Sequence, residues 1–289
     1  MERSSRFRSS TFMQSPERCD EEFVEDNEVV ADYIQRKKQE GMINIMGDGQ
    51  IPEAAAFYDV RDVLSFEQDI TLCAHVAPLF GIELNDVAIY NMEPLYDGCR
   101  SFSIGYFETL KRCHVLDYSA RNVAYLRGRG IESFHMPYGY HESLKRAVPT
   151  AKDIDVLCIG SINQRRSILF ERLEKEFNFA WVQGVYGEAR DALIAKVKVH
   201  VNVHYCDAHP LEVVRLNYLM ANHCNIVSEA GNEDEVNQNY APGLRFSRYD
   251  GLIASCHHAL MHPVDGHDII KRMPHDCAPA QRWLNARGA

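Results

Sequence analysis

The strongest constraint on the fold is a regular alternation of short apolar runs and amphipathic stretches between Asp153 and Glu229. DIDVLCIGS (153–161) is a continuous apolar run that stops at Gly160-Ser161, the pattern of a parallel strand buried on both faces. INQRRSILFERLEKEF (162–177) follows with helical spacing, carrying Ile168, Leu169 and Leu173 on one side. FAWVQGVYG, EARDALIAKV, KVHVNVHY, HPLEVVRLNYLMANH and NIVSE continue the series as strand, helix, strand, helix and strand. Strand-helix alternation of this kind builds a doubly wound β/α domain, and NIVSE is expected to close the set.

The first half carries the same rhythm in a looser form. VVADYIQRKKQEG (29–41) reads as a helix, MINIM (42–46) as a strand running into the turn GDGQIP, and AAFYDVRDVLSFEQDITLCAHVAPLFG (55–81) as helical. DVAIYNM and CHVLDYS read as strands, with FETLKR as a helix between them; SARNVAYLRGRG reads as a helix closed by Gly128 or Gly130, and IESFHMP as the next strand. GYHESLKRAVPTAK then connects to the second half. A length of 289 residues with 46% hydrophobic content supplies two cores of ordinary size. The expected organisation is a disordered head at 1–28, a Rossmann-like domain at 29–148 on the acceptor side, a Rossmann-like donor domain at 149–250, and a helical tail at 251–289 packing on the domains.

Bulk properties narrow the function classes. A formal charge of -10 and a pI of about 5.7 give no overall field to attract nucleic acid. The nine cysteines stand singly, several inside apolar runs such as IDVLCIG, which reads as reduced thiols of a cytoplasmic protein. No apolar run approaches the roughly 18–20 residues of a membrane span, and no secretory signal is evident at the N-terminus. Residues 1–18 are rich in Ser and Arg, but Glu2 and the acidic CDEEFVEDNE behind them speak against a transit peptide.

In an open parallel sheet the ligand sits beyond the carboxyl ends of the strands, where backbone N–H groups and helix N-termini favour phosphate. Gly160, Ser161, Asn163, Arg165 and Arg166 occupy that position after the first strand of the second half, combining close backbone approach with two guanidiniums suited to a diphosphate. Gly184-Val185-Tyr186-Gly187-Glu188 is either a base- or ribose-wrapping loop, with Tyr186 as a stacking face beside Gly187, or a plain strand-to-helix turn. Alternation in KVHVNVH sets His200, Asn202 and His204 on one face and valines on the other. Glu212, at the start of the next helix with Arg215, suits a ribose diol, because a carboxylate can accept two hydroxyl hydrogen bonds. His200, His204, Cys206 and His209 have zinc-ligand chemistry without the spacing of a closed site, so no metal is expected. Candidate general bases from strand-following loops of the first half are Asp48, Glu93, Asp117 and His141, with no ranking among them.

The segments YNMEP (90–94), LDYSARN (116–122), MPYGYH (136–141), DVLCIGSINQRR (155–166), GVYGEARDALIAKVKVHVNVHY (184–205), EVVRLNYLMAN (212–222) and IVSE (226–229) together resemble a family of small GT-B glycosyltransferase-like proteins of bacteria and large viruses. The resemblance implies a GT-B fold, two Rossmann-like doubly wound β/α domains facing a cleft. It also implies metal-independent transfer of a hexosyl or pentosyl group from a nucleotide diphosphate sugar to a hydroxyl of a glycan or related acceptor. Donor contacts would fall on Gly160, Arg165, Arg166, Tyr186, Asn202 and Glu212. The wider group carries a spaced pair of glutamates at the donor loop, whereas His204 stands eight positions before Glu212. Expected partners are therefore the nucleotide-sugar donor and a glycan or glycosylated acceptor, with a homodimer allowed. The alternatives are a non-catalytic nucleotide-sugar or glycan-binding scaffold and another Rossmann-type enzyme. A dinucleotide oxidoreductase would want G-x-G-x-x-G after its first strand, which GDGQIP does not complete.

Overall fold

The computed structural model describes residues 88–91, 95–96, 104–185, 187–205, 210–273, 276 and 278–287. The expected head, the strand MINIM and the helices before Ala88 lie outside the described residues, as do Asp48, Glu93 and Tyr186.

Two parallel sheets form the framework. The first joins β1 (Ala88–Asn91), β2 (His114–Asp117) and β3 (Ser133–His135) in that order, with α1 (Ile104–Leu110) and α2 (Ala120–Arg127) between successive strands. Each strand is three or four residues long. Ser119 starts α2 by accepting a hydrogen bond from the backbone N–H of Asn122, and Gly130, at φ 73, turns the chain into β3. The strands expected at DVAIYNM, CHVLDYS and IESFHMP and the helices expected at FETLKR and SARNVAYLRGRG are present.

The second sheet contains β4 (Ile154–Ile159), β5 (Phe179–Val182), β6 (Val197–Asn202), β7 (Ile226–Glu229) and β8 (Arg245–Ser247), ordered β5-β4-β6-β7-β8 and parallel throughout. The connecting helices are α3 (Gln164–Glu176), α4 (Gly187–Ala195), α5 (Val213–Ala221) and α6 (Asp234–Tyr240). The set does not close at Glu229, as the sequence had suggested: α6 leads to β8, which pairs Val227 with Arg245 and Glu229 with Ser247. Three half-buried residues, Arg-Phe-Ser, carry too little periodicity to announce a strand.

Strand order locates the ligand crevice. From β4 the chain winds one way to β5 and the other way through β6 to β8, so the switch lies between β4 and β6. In open parallel sheets ligands bind beyond the carboxyl ends of the strands at such a switch point.

Val156, Cys158, Val199, Val201, Val203, Val227 and Leu169 form one core beneath this sheet, closed by Leu252, Cys256 and Ala259 of α7 (Leu252–Met261). A second core gathers α5, which is buried almost all round, with Met136, Tyr138, Tyr140 and Leu144 from the chain leaving the first sheet. Asn222 fastens that chain: its Oδ1 accepts the backbone N–H groups of Arg146 and Ala147 and its amide donates to the Leu144 carbonyl. After α8 (His267–Ile270), α9 (Ala278–Asn285) packs on β3, with Trp283 5.6 Å from Phe134 between ring centroids.

His200 departs from the usual content of a buried parallel strand. It is 2% exposed and its Nε2 has no hydrogen-bond partner. Burial pushes its pKa down from 6.5 to about 3; a backbone bond at Ile194 opposes this and the charge of Lys152 adds to it. The unfolded chain therefore binds more protons between those values, and stability falls as pH drops below about 6.5, by roughly 1.4 kcal/mol per pH unit at most. Urea unfolding is expected to shift to lower midpoints from neutral pH towards pH of about 5, with a shallower dependence in His200→Leu. An equal dependence in both proteins would remove His200 as the cause.

Candidate functional site

The site begins where β4 ends. Gly160 adopts φ 140, a conformation that side chains resist, and a Cβ there would lie 3.0 Å from Arg166 Nη1 and 3.5 Å from Arg215 Nη2. Two guanidiniums thus converge on one glycine. The loop is held by Gly160 N–H donating to the Val182 carbonyl at 2.9 Å and by Trp181 Nε1–H donating to the Gly160 carbonyl at 2.7 Å. Asn163 caps the thirteen-residue helix α3, its Oδ1 accepting the Arg166 backbone N–H at 2.9 Å. Its amide donates to the Tyr205 carbonyl, tying the β4 loop to the β6 loop.

The adjacent arginines have different fates. Arg165 forks onto Glu229, with Nη1 2.8 Å from Oε2 and Nη2 on Oε1, donates to the His204 carbonyl at 3.1 Å, and lies 4.1 Å over the Tyr249 ring. Its charge is spent. Arg166 is 3% exposed, donates to the carbonyls of Ser161 and Val203, and leaves its buried Nε without a partner. Among the described residues neither Arg166 nor Arg215 forms an ion pair. Burial, and secondarily the neighbouring charge of Arg215, pulls the Arg166 pKa down. A buried guanidinium without a carboxylate is costly until an anion arrives.

β6 delivers the remaining groups. Asn202, 1% exposed, uses its amide on Glu212 Oε2 at 2.8 Å and Ser228 Oγ at 2.9 Å, while its carbonyl accepts Arg215 Nη1 at 2.6 Å. Glu212 stands just before α5 without capping it, and its side chain turns back to β6 instead. His204 Nδ1 meets Glu212 Oε1 at 3.0 Å, and His204 Nε2 meets the Ala230 carbonyl at 2.9 Å. Burial disfavours the Glu212 charge, but His204, Arg215 and Asn202 outweigh it and hold its pKa below the carboxylate range. Each carboxylate oxygen is anchored once and keeps a lone pair for a hydroxyl donor.

Gly160, Ser161, Asn163, Arg165, Arg166, Asn202, His204, Glu212 and Arg215 are thus brought together at the switch between β4 and β6. Gly187, at φ 54, opens α4 on the other side of β4, after β5. Glu229, absent from the sequence-derived set, completes the site as the partner of Arg165 and the acceptor of the His204 backbone N–H at 2.8 Å. Its position at the end of β7 was the available signal. No cluster of three or more His, Cys, Asp or Glu side chains able to hold a metal occurs among the described residues.

The base candidates fare differently. Asp117 is 0% exposed; its Oδ2 accepts from Asn91 at 2.6 Å and its Oδ1 from the Ser119 backbone at 2.8 Å and from Asn122 at 3.1 Å. Burial raises its pKa well above the usual value, with Glu233 adding to the effect and the hydrogen bonds opposing it. This carboxyl organises the turn between β2 and α2 and has no face open to an acceptor. His141 precedes the short helical turn Glu142–Leu144, on the chain between the sheets. Ser119 Oγ also donates to Glu233 Oε1 at 3.3 Å, which brings the end of β2 against the loop after β7.

Comparison with known proteins bears on the fold. No family model matches the chain. Uncharacterized protein L140 of Acanthamoeba polyphaga mimivirus is 28% identical over 155 residues, 50% of this chain and 50% of that protein. Uncharacterized protein L137 of the same virus is 29% identical over 150 residues, 49% of this chain and 19% of that protein. The chain therefore spans half, or less than half, of the length of these relatives. Among solved structures, Anabaena HepE in complex with UDP-glucose superimposes with a TM-score of 0.52 at 9% identity, covering 88% of each chain. The fold is the two-Rossmann-domain α/β fold of GT-B glycosyltransferases.

Gly160→Ala is expected to destabilise the protein by about 1–3 kcal/mol and to displace the guanidinium it abuts. Urea unfolding measures the first effect and nucleotide titration the second. A variant with unchanged stability and affinity would show that the close approach at Gly160 has no role.

Proposed function

We propose that the chain transfers a sugar from a nucleotide diphosphate sugar to a hydroxyl of a glycan or related acceptor, without a bound metal. The observation that carries this reading is the convergence of Arg166 and Arg215, neither ion-paired among the described residues, on Gly160 at the switch point of the sheet. A diphosphate would satisfy both guanidiniums, and Glu212 would receive the ribose hydroxyls. During transfer the bond from the anomeric carbon to the diphosphate breaks as the acceptor oxygen bonds to that carbon, and the hydroxyl proton of the acceptor passes to a general base, for which Asp48, Glu93 and His141 stand as candidates. The charge growing on the leaving diphosphate meets Arg166, Arg215 and the N-terminus of α3. That HepE was solved with UDP-glucose supports the choice of ligand class.

In this reading residues 29–148 form the acceptor-side domain and 149–250 the donor domain, with 251–289 as a tail packed on both. Cys113, Cys158, Cys224 and Cys256 are free thiols, in keeping with a reducing, cytoplasmic setting. No helix among the described residues is long and apolar enough to cross a membrane.

The test is a calorimetric and thermal-shift panel of UDP, GDP, CMP, dTDP and their sugars with a chelator present, followed by assay for release of the nucleoside diphosphate. Binding of one nucleotide class with sugar-dependent release supports a transferase. Binding with no release under any acceptor would assign the chain to a scaffold, and silence across the panel would overturn the donor site.

A further inference from the structure

We propose that His204 is held as an imidazolium, a built-in cation that orients Glu212 and makes donor binding sensitive to alkaline pH. The proposal rests on the donor reading of Glu212 given above. The geometry requires two ring protons. Nε2 faces the Ala230 carbonyl at 2.9 Å and Nδ1 faces Glu212 Oε1 at 3.0 Å. A carbonyl can only accept, and so can an ionised carboxylate, whereas neutral imidazole has one N–H and would set a lone pair against one of them. The ring is 4% exposed, so water cannot relieve the mismatch.

Among the described residues, the charged groups around the ring come from each element packed against it. Glu212 precedes α5 and Glu229 ends β7; Arg165 of α3, forked onto Glu229, donates to the His204 carbonyl; Arg215 of α5 reaches the same Asn202 that binds Glu212. Burial disfavours the imidazolium, but the hydrogen bond and charge of Glu212, the Ala230 carbonyl and Glu229 together hold the pKa above the ordinary 6.5.

The consequence is a charge count suited to the ligand. Arg165 and Glu229 cancel, His204 cancels Glu212, and Arg166 and Arg215 remain in excess to meet a diphosphate. A carboxylate at position 204 would instead repel Glu212 and remove that excess. Loss of the ring proton would free Glu212 from one of its two anchors and cut the positive charge at the same time.

The experiment combines nitrogen NMR of the full chain labelled at histidine with calorimetric titration of UDP across a pH series. The His204 signal is assigned by its absence in His204→Gln. The expected result is an imidazolium signal that persists to higher pH than an ordinary histidine allows, lost in Glu212→Gln at neutral pH. UDP affinity should fall about tenfold or more as pH rises through the His204 transition, and His204→Gln should bind weakly without that transition. A His204 signal that titrates at or below the ordinary histidine range overturns the proposal. So does an alkaline loss of affinity that persists in His204→Gln. An imidazolium signal with no UDP bound at any pH would instead overturn the donor reading, leaving the charge assignment intact.

Discussion

Arg165→Met is expected to lower stability by about 2–4 kcal/mol, the range for removing one partner of a largely buried ion pair. The side chains of Arg165 and Glu229 are 19% and 8% exposed, so the loss should fall short of that for a fully buried pair. The variant strands the Glu229 carboxylate, which among the described residues keeps the His204 backbone N–H as its donor. It also uncovers the face of Tyr249. The double variant Arg165→Met, Glu229→Gln removes the stranded charge and should recover most of the loss in urea unfolding. A single variant as stable as the parent, or a double variant no better than the single, would contradict this assignment.

Arg166→Met, one residue along, should behave in the opposite way. Its guanidinium is buried without an ion-pair partner among the described residues, and its Nε is orphaned. Removing it relieves a desolvated charge while leaving the carbonyls of Ser161 and Val203 without a donor, so the net stability change should be within about 1 kcal/mol. Affinity for a nucleoside diphosphate should fall about a hundredfold, the loss of charge-assisted bonds to phosphate. Titration of UDP into parent and variant measures this, and undiminished affinity in a folded variant would remove Arg166 from the site. The contrast between the two arginines separates the residue that holds the loops together from the residue left for the ligand.

How far the sequence reveals these roles depends on what each residue's neighbours are. The apolar run 154–159 and the polar stripe at 200, 202 and 204 expose the sheet and its polar edge, because strand periodicity is a local property. The helix over 164–176 is equally legible, with Asn163 as its cap. Which of Arg165 and Arg166 is free is not legible, since the answer depends on Glu229, 64 positions away, and on Val203, 37 positions away. Asp117 illustrates the same limit: following a strand suggests a cleft residue, but its neighbours Asn91, Ser119 and Asn122 enclose it. His204 stands out as a departure from the glutamate pair, yet its two acceptors appear only once the loops after β6 and β7 meet. Strand β8 escaped notice because three residues carry no periodic signal.

The most direct test of the central claim is a crystal structure of the full chain with UDP. The diphosphate is expected between Gly160, Arg166 and Arg215 and the ribose hydroxyls on Glu212, with Arg165 still paired to Glu229. A diphosphate bound away from Gly160, or a ribose that leaves Glu212 uncontacted, would contradict it.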